Sequence, residues 1–142
     1  MIVTRPQLSS DAALRLVQAA VAHAGANGWS VCVAVVEPGG TPLALWRMDG
    51  VAVPVVDFAL DKAYTAATLK RSTEAFFDRM ETSPSLRLGL ANRARLMVWG
   101  GGLPVFHDGE VVGGIGVSGA KDFEDIACAK AAIQALGLNW DA

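Results

Sequence analysis

In the run VVDFALDKAYTAATL, winding the segment as a helix puts Lys62 on one arc of about 100° with Val55, Phe58, Ala59, Ala66 and Leu69. An ammonium in an apolar stripe must find a partner, lose its proton or reach out to water, because burying it unpaired costs several kcal/mol. Lys62 is therefore either a structural or snorkelling lysine, or a pocket lysine that holds a carboxylate, attacks a carbonyl or moves a proton. Arg47 closes an apolar strand just before the bend Asp49-Gly50, where a guanidinium can clamp a carboxylate by two points or pair with Asp49 or a glutamate. The turn pair Asp108-Gly109 sets His107 opposite Glu110, as an exposed ion pair or as an acid–base couple. His23 lies on an alanine-rich helical face, where it is a solvated or interface residue, or an axial metal ligand or proton carrier. Local spacing assembles no Ser/His/Asp or Cys/His triad. With two histidines, a zinc or non-haem iron centre would need carboxylates gathered from far apart.

Glycine is the other chemical signal. GIGVSG, residues 114–119, has the spacing of a dinucleotide fingerprint. That fingerprint needs a second strand and an acidic residue about 20 positions on, and here one helix and a short tail follow. Asp122, Glu124 and Asp125 would also already occupy the helix N-terminus that a phosphate uses, so the nucleotide reading is set aside. Because glycine weakens a strand, Gly113, Gly114 and Gly116 imply that another group comes against bare backbone: a ligand, a helix or a neighbouring subunit. Gly114, Gly116 and Ser118 are thus candidate ligand-binding positions, as are the backbone amides of Gly101 and Gly102, which can hold carboxylate or enolate oxygens.

These residues need elements to position them. Ser9 or Ser10 caps a helix over residues 10–26, with a core stripe of Leu14, Val17, Val21 and Ala24, and with Ala12, Leu16, Ala19, His23 and Ala26 on a face open to another helix. Residues 30–37 and 42–49 read as a hairpin, and Pro54 opens a second helix running to about Lys70. A polar, irregular stretch follows to about 94. Residues 95–101, 103–107 and 110–119 read as three more strands, and a last helix starts at Asp122, with Asp125 as a capping residue and Ile126, Ala129, Ile133 and Leu136 buried. The order predicts an α+β domain with helices packed on an antiparallel sheet, and the whole chain, 1–142, as one domain.

Charged residues make up 18%, below the roughly 25% of an ordinary soluble domain, so a homo-oligomer is expected. A net charge of −2 with no Lys/Arg cluster argues against nucleic acid and anionic membranes as partners. No apolar run reaches the length of a signal peptide core or a membrane span, which predicts a cytoplasmic protein. Cys32 and Cys128 read as ordinary buried thiols.

Four blocks, VAVVEPGGTPLALWRMDG, DKAYTAATLKRST, GGLPVFHDGEVVGGIGVSGA and EDIACAKAAI, resemble in order and spacing the GlcG/HbpS-like family, also called the haem-degrading domain family and related to the C-terminal domain of PduO-type proteins. The likeness runs from about residue 10 to 138. It implies a profilin-like fold with a five-stranded antiparallel sheet, a homo-oligomer with pockets near subunit contacts, and haem as ligand, with redox sensing or haem breakdown in some members. A first-helix histidine is associated with haem ligation in PduO-type relatives, which carries that role onto His23. Where the family usually has an aspartate before its small residues, this chain has Glu37. Two functions follow as expectations. One is an oligomeric protein binding haem or another planar ligand, with His23 or His107 nearest the iron and Trp46, Phe58 and Trp99 as aromatic candidates. The other is a cofactor-independent lyase, isomerase or hydrolytic deaminase for a small organic acid, in which Arg47 and the Gly100–Gly102 amides hold oxygens while Lys62, His107 or Glu110 moves protons.

Overall fold

A computed structural model describes all residues, 1–142. Its elements are α1 (Ser10–Ala26), β1 (Cys32–Val36), β2 (Pro42–Arg47), α2 (Pro54–Leu69), α3 (Thr73–Met80), α4 (Pro84–Leu90), β3 (Gly102–His107), β4 (Glu110–Ser118) and α5 (Asp122–Ala135). The strands form one antiparallel sheet in the order β2-β1-β4-β3, so the α+β class holds. Every residue of β1 is buried, as expected of a central strand made only of cysteine, valine and alanine.

The sheet separates two helical layers. On one face Val33, Val35, Ile115 and Val117 pack with Leu16, Val17, Ala20 and Ala24 of α1 and with Ala129, Ala132 and Ile133 of α5. On the other, Cys32, Ala34 and Val36 meet Ala59, Ala63 and Ala67 of α2. Ser9 caps α1 by accepting the Ala12 N–H at 3.0 Å. Glu37 closes the β1–β2 turn: its carboxylate accepts the Gly39 and Thr41 N–H groups, each at 2.8 Å. Burial alone would raise its pKa, but these two backbone donors, with Arg5 nearby, outweigh burial and hold it below the usual value.

Several expectations need correction. The sheet has four strands, not five. Residues 95–101 are apolar enough for a strand, but Arg95 takes a left-handed φ of 72°, its carbonyl accepts from the Thr65 hydroxyl at 3.0 Å, and the Met97 N–H donates to Thr65 Oγ1 at 3.0 Å. Backbone groups that a strand would share with a neighbour are thus spent on α2. The stretch expected to be irregular holds two short helices, capped by Ser72 and Ser83, with Pro84 in the first turn of α4. The core face of α1 is rotated: Leu14 is exposed and Leu16 is buried, with Ala13 and Ala20 beside it. In α5 the buried set is Asp125, Cys128, Ala129, Ala132 and Ile133; Ile126 and Leu136 are half-buried. Asp125 does not cap that helix. Glu124 does, through the Lys121 N–H at 3.0 Å.

Candidate functional site

Lys62 is 1% exposed, and its amine is neither free nor at the surface. Nζ donates to the Val117 carbonyl at 2.9 Å and to Asp125 Oδ2 at 3.1 Å, while Asp125 Oδ1 accepts the Ala120 N–H at 3.0 Å. Both charged groups are buried, and burial pulls the lysine's pKa below its usual value and pushes the aspartate's above it, each partner opposing the shift of the other. The pair is a clasp between layers: Lys62 comes from α2 above the sheet, Asp125 from α5 below it. The passage lies at the start of β3. A side chain on Gly101 would sit 3.0 Å from Lys62 Nζ and 2.9 Å from Asp125 Cβ, and one on Gly102 would press on Thr73 Cγ2 and the Lys62 backbone. Bare backbone at Gly101 and Gly102 is what lets the amine through.

Gly114 and Gly116 have an equally specific neighbour. On β4 they face α2, and added Cβ atoms would run into the backbone of Ala59 and Ala63 and the methyl of Ala67. Alanines spaced four apart on α2 thus nest into glycines spaced two apart on β4, so helix and strand approach backbone to backbone. Of the three groups the glycines admit, a helix of the same chain is the one that covers Gly114 and Gly116, while Gly113 lies against Leu8 and the Val36 carbonyl. Ser118, buried, continues this face and lies in a cross-strand row with Cys32 and Arg47. Arg47 is exposed at the sheet edge, two strands from Ser118 or about 10 Å, and has no ion pair.

The remaining candidates lie elsewhere. His107 and Glu110 flank the β3–β4 turn in register, as expected, but His107 Nε2 pairs with Asp108 at 3.3 Å. That turn is at the far end of β3 from Gly102, about 17 Å from the clasp at strand rise. Lys62, Arg47 and the His107–Glu110 pair are therefore not gathered in one pocket. His107 does border an apolar groove of about 420 Å³, lined in part by Leu8, Val112, Leu136 and Leu138. His23 is half-buried near the end of α1, its ring edge-on to Trp29 with centroids 6.0 Å apart. Neither ring nitrogen of His23 has a hydrogen-bond or ion-pair partner in the chain, while Ala22 and Ala26 beside it are exposed and Ala19 is half-buried. Of the aromatic candidates, Phe58 and Trp99 meet edge-on at 5.1 Å; Trp46 stands apart on β2. Burial holds the thiols of Cys32 and Cys128 up at about 11, so both are protonated at neutral pH. No three His, Cys, Asp or Glu side chains converge. No helix is long and apolar enough to cross a membrane.

Two residues central to this arrangement escaped the sequence reading, Thr65 and Thr73, the latter accepting the Gly102 N–H at 3.0 Å, and a third, Asp125, reads in sequence as a cap and not as the partner of Lys62. Asp125 left a signal, since it shares a helical face with Ala129 and Ala132 as Lys62 does with Ala59 and Ala66. Two opposite charges, each in the middle of an apolar stripe, predict one another.

Comparison with known proteins follows the same lines. The family model described as "Haem degrading protein HbpS-like" matches residues 8–134. A 15.0 kDa protein from the dhaT-dhaS intergenic region of Citrobacter freundii is 39% identical over 123 residues, 86% of this chain and 87% of that one. Protein GlcG of Escherichia coli K12 is 35% identical over 115 residues, covering 81% of this chain and 84% of GlcG. The corrinoid adenosyltransferase PduO of Salmonella typhimurium is 31% identical over 127 residues, which are 88% of this chain but 38% of PduO. Among solved structures, the PduOC:haem complex superposes with a TM-score of 0.88 at 29% identity, over 96% of this chain and 99% of that one. A double mutant of Streptomyces reticuli HbpS gives a TM-score of 0.87 at 32% identity, over 96% and 91%. Sequence and fold agree along nearly the whole length, and the chain belongs to the HbpS-like family, homologous to GlcG and to the haem-binding C-terminal domain of PduO.

Proposed function

We propose that this protein is an oligomeric haem-binding member of its family, with the iron held by His23. The observation that carries the reading is the full-length match to PduOC, a chain of the same fold that forms a haem complex. The residues here fit such a group. A porphyrin needs a flat face without projecting side chains, and the Ala19, Ala22 and Ala26 surface of α1 supplies one; an iron ligand needs an unengaged imidazole nitrogen, and both nitrogens of His23 are unengaged. Trp29, edge-on to the ring, limits its rotation. Haem would bring iron-centred redox chemistry; the chain would contribute an axial nitrogen and an apolar seat. His107 is the rival ligand, favoured by the apolar groove it borders.

Titrating the purified protein with haem should give a Soret shift that saturates at one equivalent per chain. His23→Ala should weaken binding at least tenfold and change the spectrum, while His107→Ala behaves as the parent. The reverse pattern would move the site to the groove, and two variants that both bind like the parent would sink histidine ligation altogether.

A further inference from the structure

The two edges of the sheet are finished differently. Along β3, Asn139 bridges Phe106 through N–H···O bonds of 2.7 and 3.2 Å, and Thr73 takes the Gly102 N–H. At the other edge β2 has β1 on one side and no neighbour on the other. Its spare backbone groups follow from its hydrogen bonds. The Met48 N–H donates to the Val31 carbonyl at 3.1 Å, so by alternation Trp46 also faces β1, and Leu45 and Arg47 turn their N–H and C=O groups outward. Solvent-facing edges are commonly protected by charge, proline or a bulge. Pro42 and an irregularity beside it protect only the beginning of β2; the rest is Ala44, Leu45, Trp46 and Arg47, with Leu45 and Trp46 42% and 43% exposed. Alongside runs a groove of about 480 Å³ lined by Ser10, Asp11 and Leu14 of α1 and by Leu43, Ala44 and Leu45.

We propose that β2 is where two copies of this chain meet, pairing antiparallel about a twofold axis at Leu45 so that the two sheets run into one. The strand is complementary to itself in that register. The outward N–H and C=O of Leu45 exchange hydrogen bonds with the partner's Leu45. Trp46 falls opposite the partner's Ala44, a small residue at the margin of the groove that Leu14 lines, so an exposed indole gains an apolar seat. Arg47, on the face of the sheet that carries α2, falls opposite the partner's Leu43, so the two Arg47 side chains are kept apart. This inference rests on the self-association in the preceding reading and is independent of haem.

Light scattering across a concentration series, with two substitutions at the axis, tests it. Directly opposed residues of a hydrogen-bonded pair have Cα atoms about 5.5 Å apart, within disulfide range. Leu45→Cys should therefore give a covalent dimer under mild oxidation, whereas Leu88→Cys, exposed on α4, should not; Cys32 and Cys128 are buried and do not compete. Leu45→Lys sets two ammonium groups against each other and should weaken association at least tenfold, with a circular dichroism spectrum like the parent's. A parent that stays monomeric at every concentration overturns self-association and this interface together. An oligomer that Leu45→Lys leaves intact, with no cross-link through Leu45→Cys, overturns the interface alone. Should Leu45→Lys fail to fold, the cross-linking pair still decides.

Discussion

Lys62→Met should cost about 3–5 kcal/mol of folding stability, the range expected when one member of a buried ion pair is removed and the other is left without a counter-charge. The methionine fills similar space, so the loss is electrostatic: Asp125 keeps the Ala120 N–H but loses the ammonium, and the Val117 carbonyl loses a donor. Adding Asp125→Leu should restore stability to within about 1–2 kcal/mol of the parent, because an apolar pair carries no desolvation cost and only the Ala120 and Val117 backbone groups are left wanting partners. Urea unfolding with an unchanged m-value measures both. A Lys62→Met variant within 1 kcal/mol of the parent would show that the amine reaches water in solution. The pH dependence has a definite sign. With its pKa lowered by burial, Lys62 gives stability that is present above the ordinary value of 10.5 and lost as pH falls through the folded value. With its pKa raised by burial, Asp125 gives stability that is present below 3.8 and lost as pH rises through the folded value. The pair's own contribution to stability should therefore be smallest between those two limits, and the doubly apolar variant should lose both slopes.

Gly116→Ala should be at least as damaging, by about 3 kcal/mol or more, although it adds one methyl group. That methyl would meet the Ala59 carbonyl oxygen and, at 2.6 Å, the Ala63 amide nitrogen. Both are backbone atoms in mid-helix, so no side chain can swing aside, and α2 must lift from the sheet with Lys62 on it. Gly25→Ala is the control: nothing lies within 4 Å of the added carbon near the end of α1, and stability should rise slightly or stay level. Thermal unfolding of the two variants side by side checks the contrast. Equal midpoints would mean that α2 does not rest on β4 as described.

The same contact shows what a sequence can and cannot disclose. Helix α1, the β1–β2 hairpin, α2 from Pro54, the β3–β4 hairpin and α5 were legible because each carries its own punctuation: Ser9, Asn27-Gly28, the Pro-Gly-Gly turn, Asp108-Gly109 and Asp122. Residues 95–101 misled because a short apolar run has no period of its own, and only Thr65, some 30 positions away, decides where its N–H and C=O groups go. The helices α3 and α4 lay behind ordinary serine caps in a polar stretch, and at eight and seven residues each is too short for a helical period to declare itself. The glycines announced a close approach but not what approaches, since Gly114 against Ala63 is a relation between distant segments. His23 was legible as a lone imidazole among alanines; that its nitrogens are unengaged took coordinates to see.

The clasp joins positions far apart along the chain, Lys62 to Val117 across 55 residues and to Asp125 across 63. It cannot close until the β3–β4 hairpin and α5 have returned to α2, so it is expected to form late, on the native side of the folding barrier. In a chevron plot the Lys62→Met penalty should accordingly fall on the unfolding arm, leaving the refolding arm where it was. The ion pair is a latch: it slows escape from the finished molecule and does nothing to hasten arrival there.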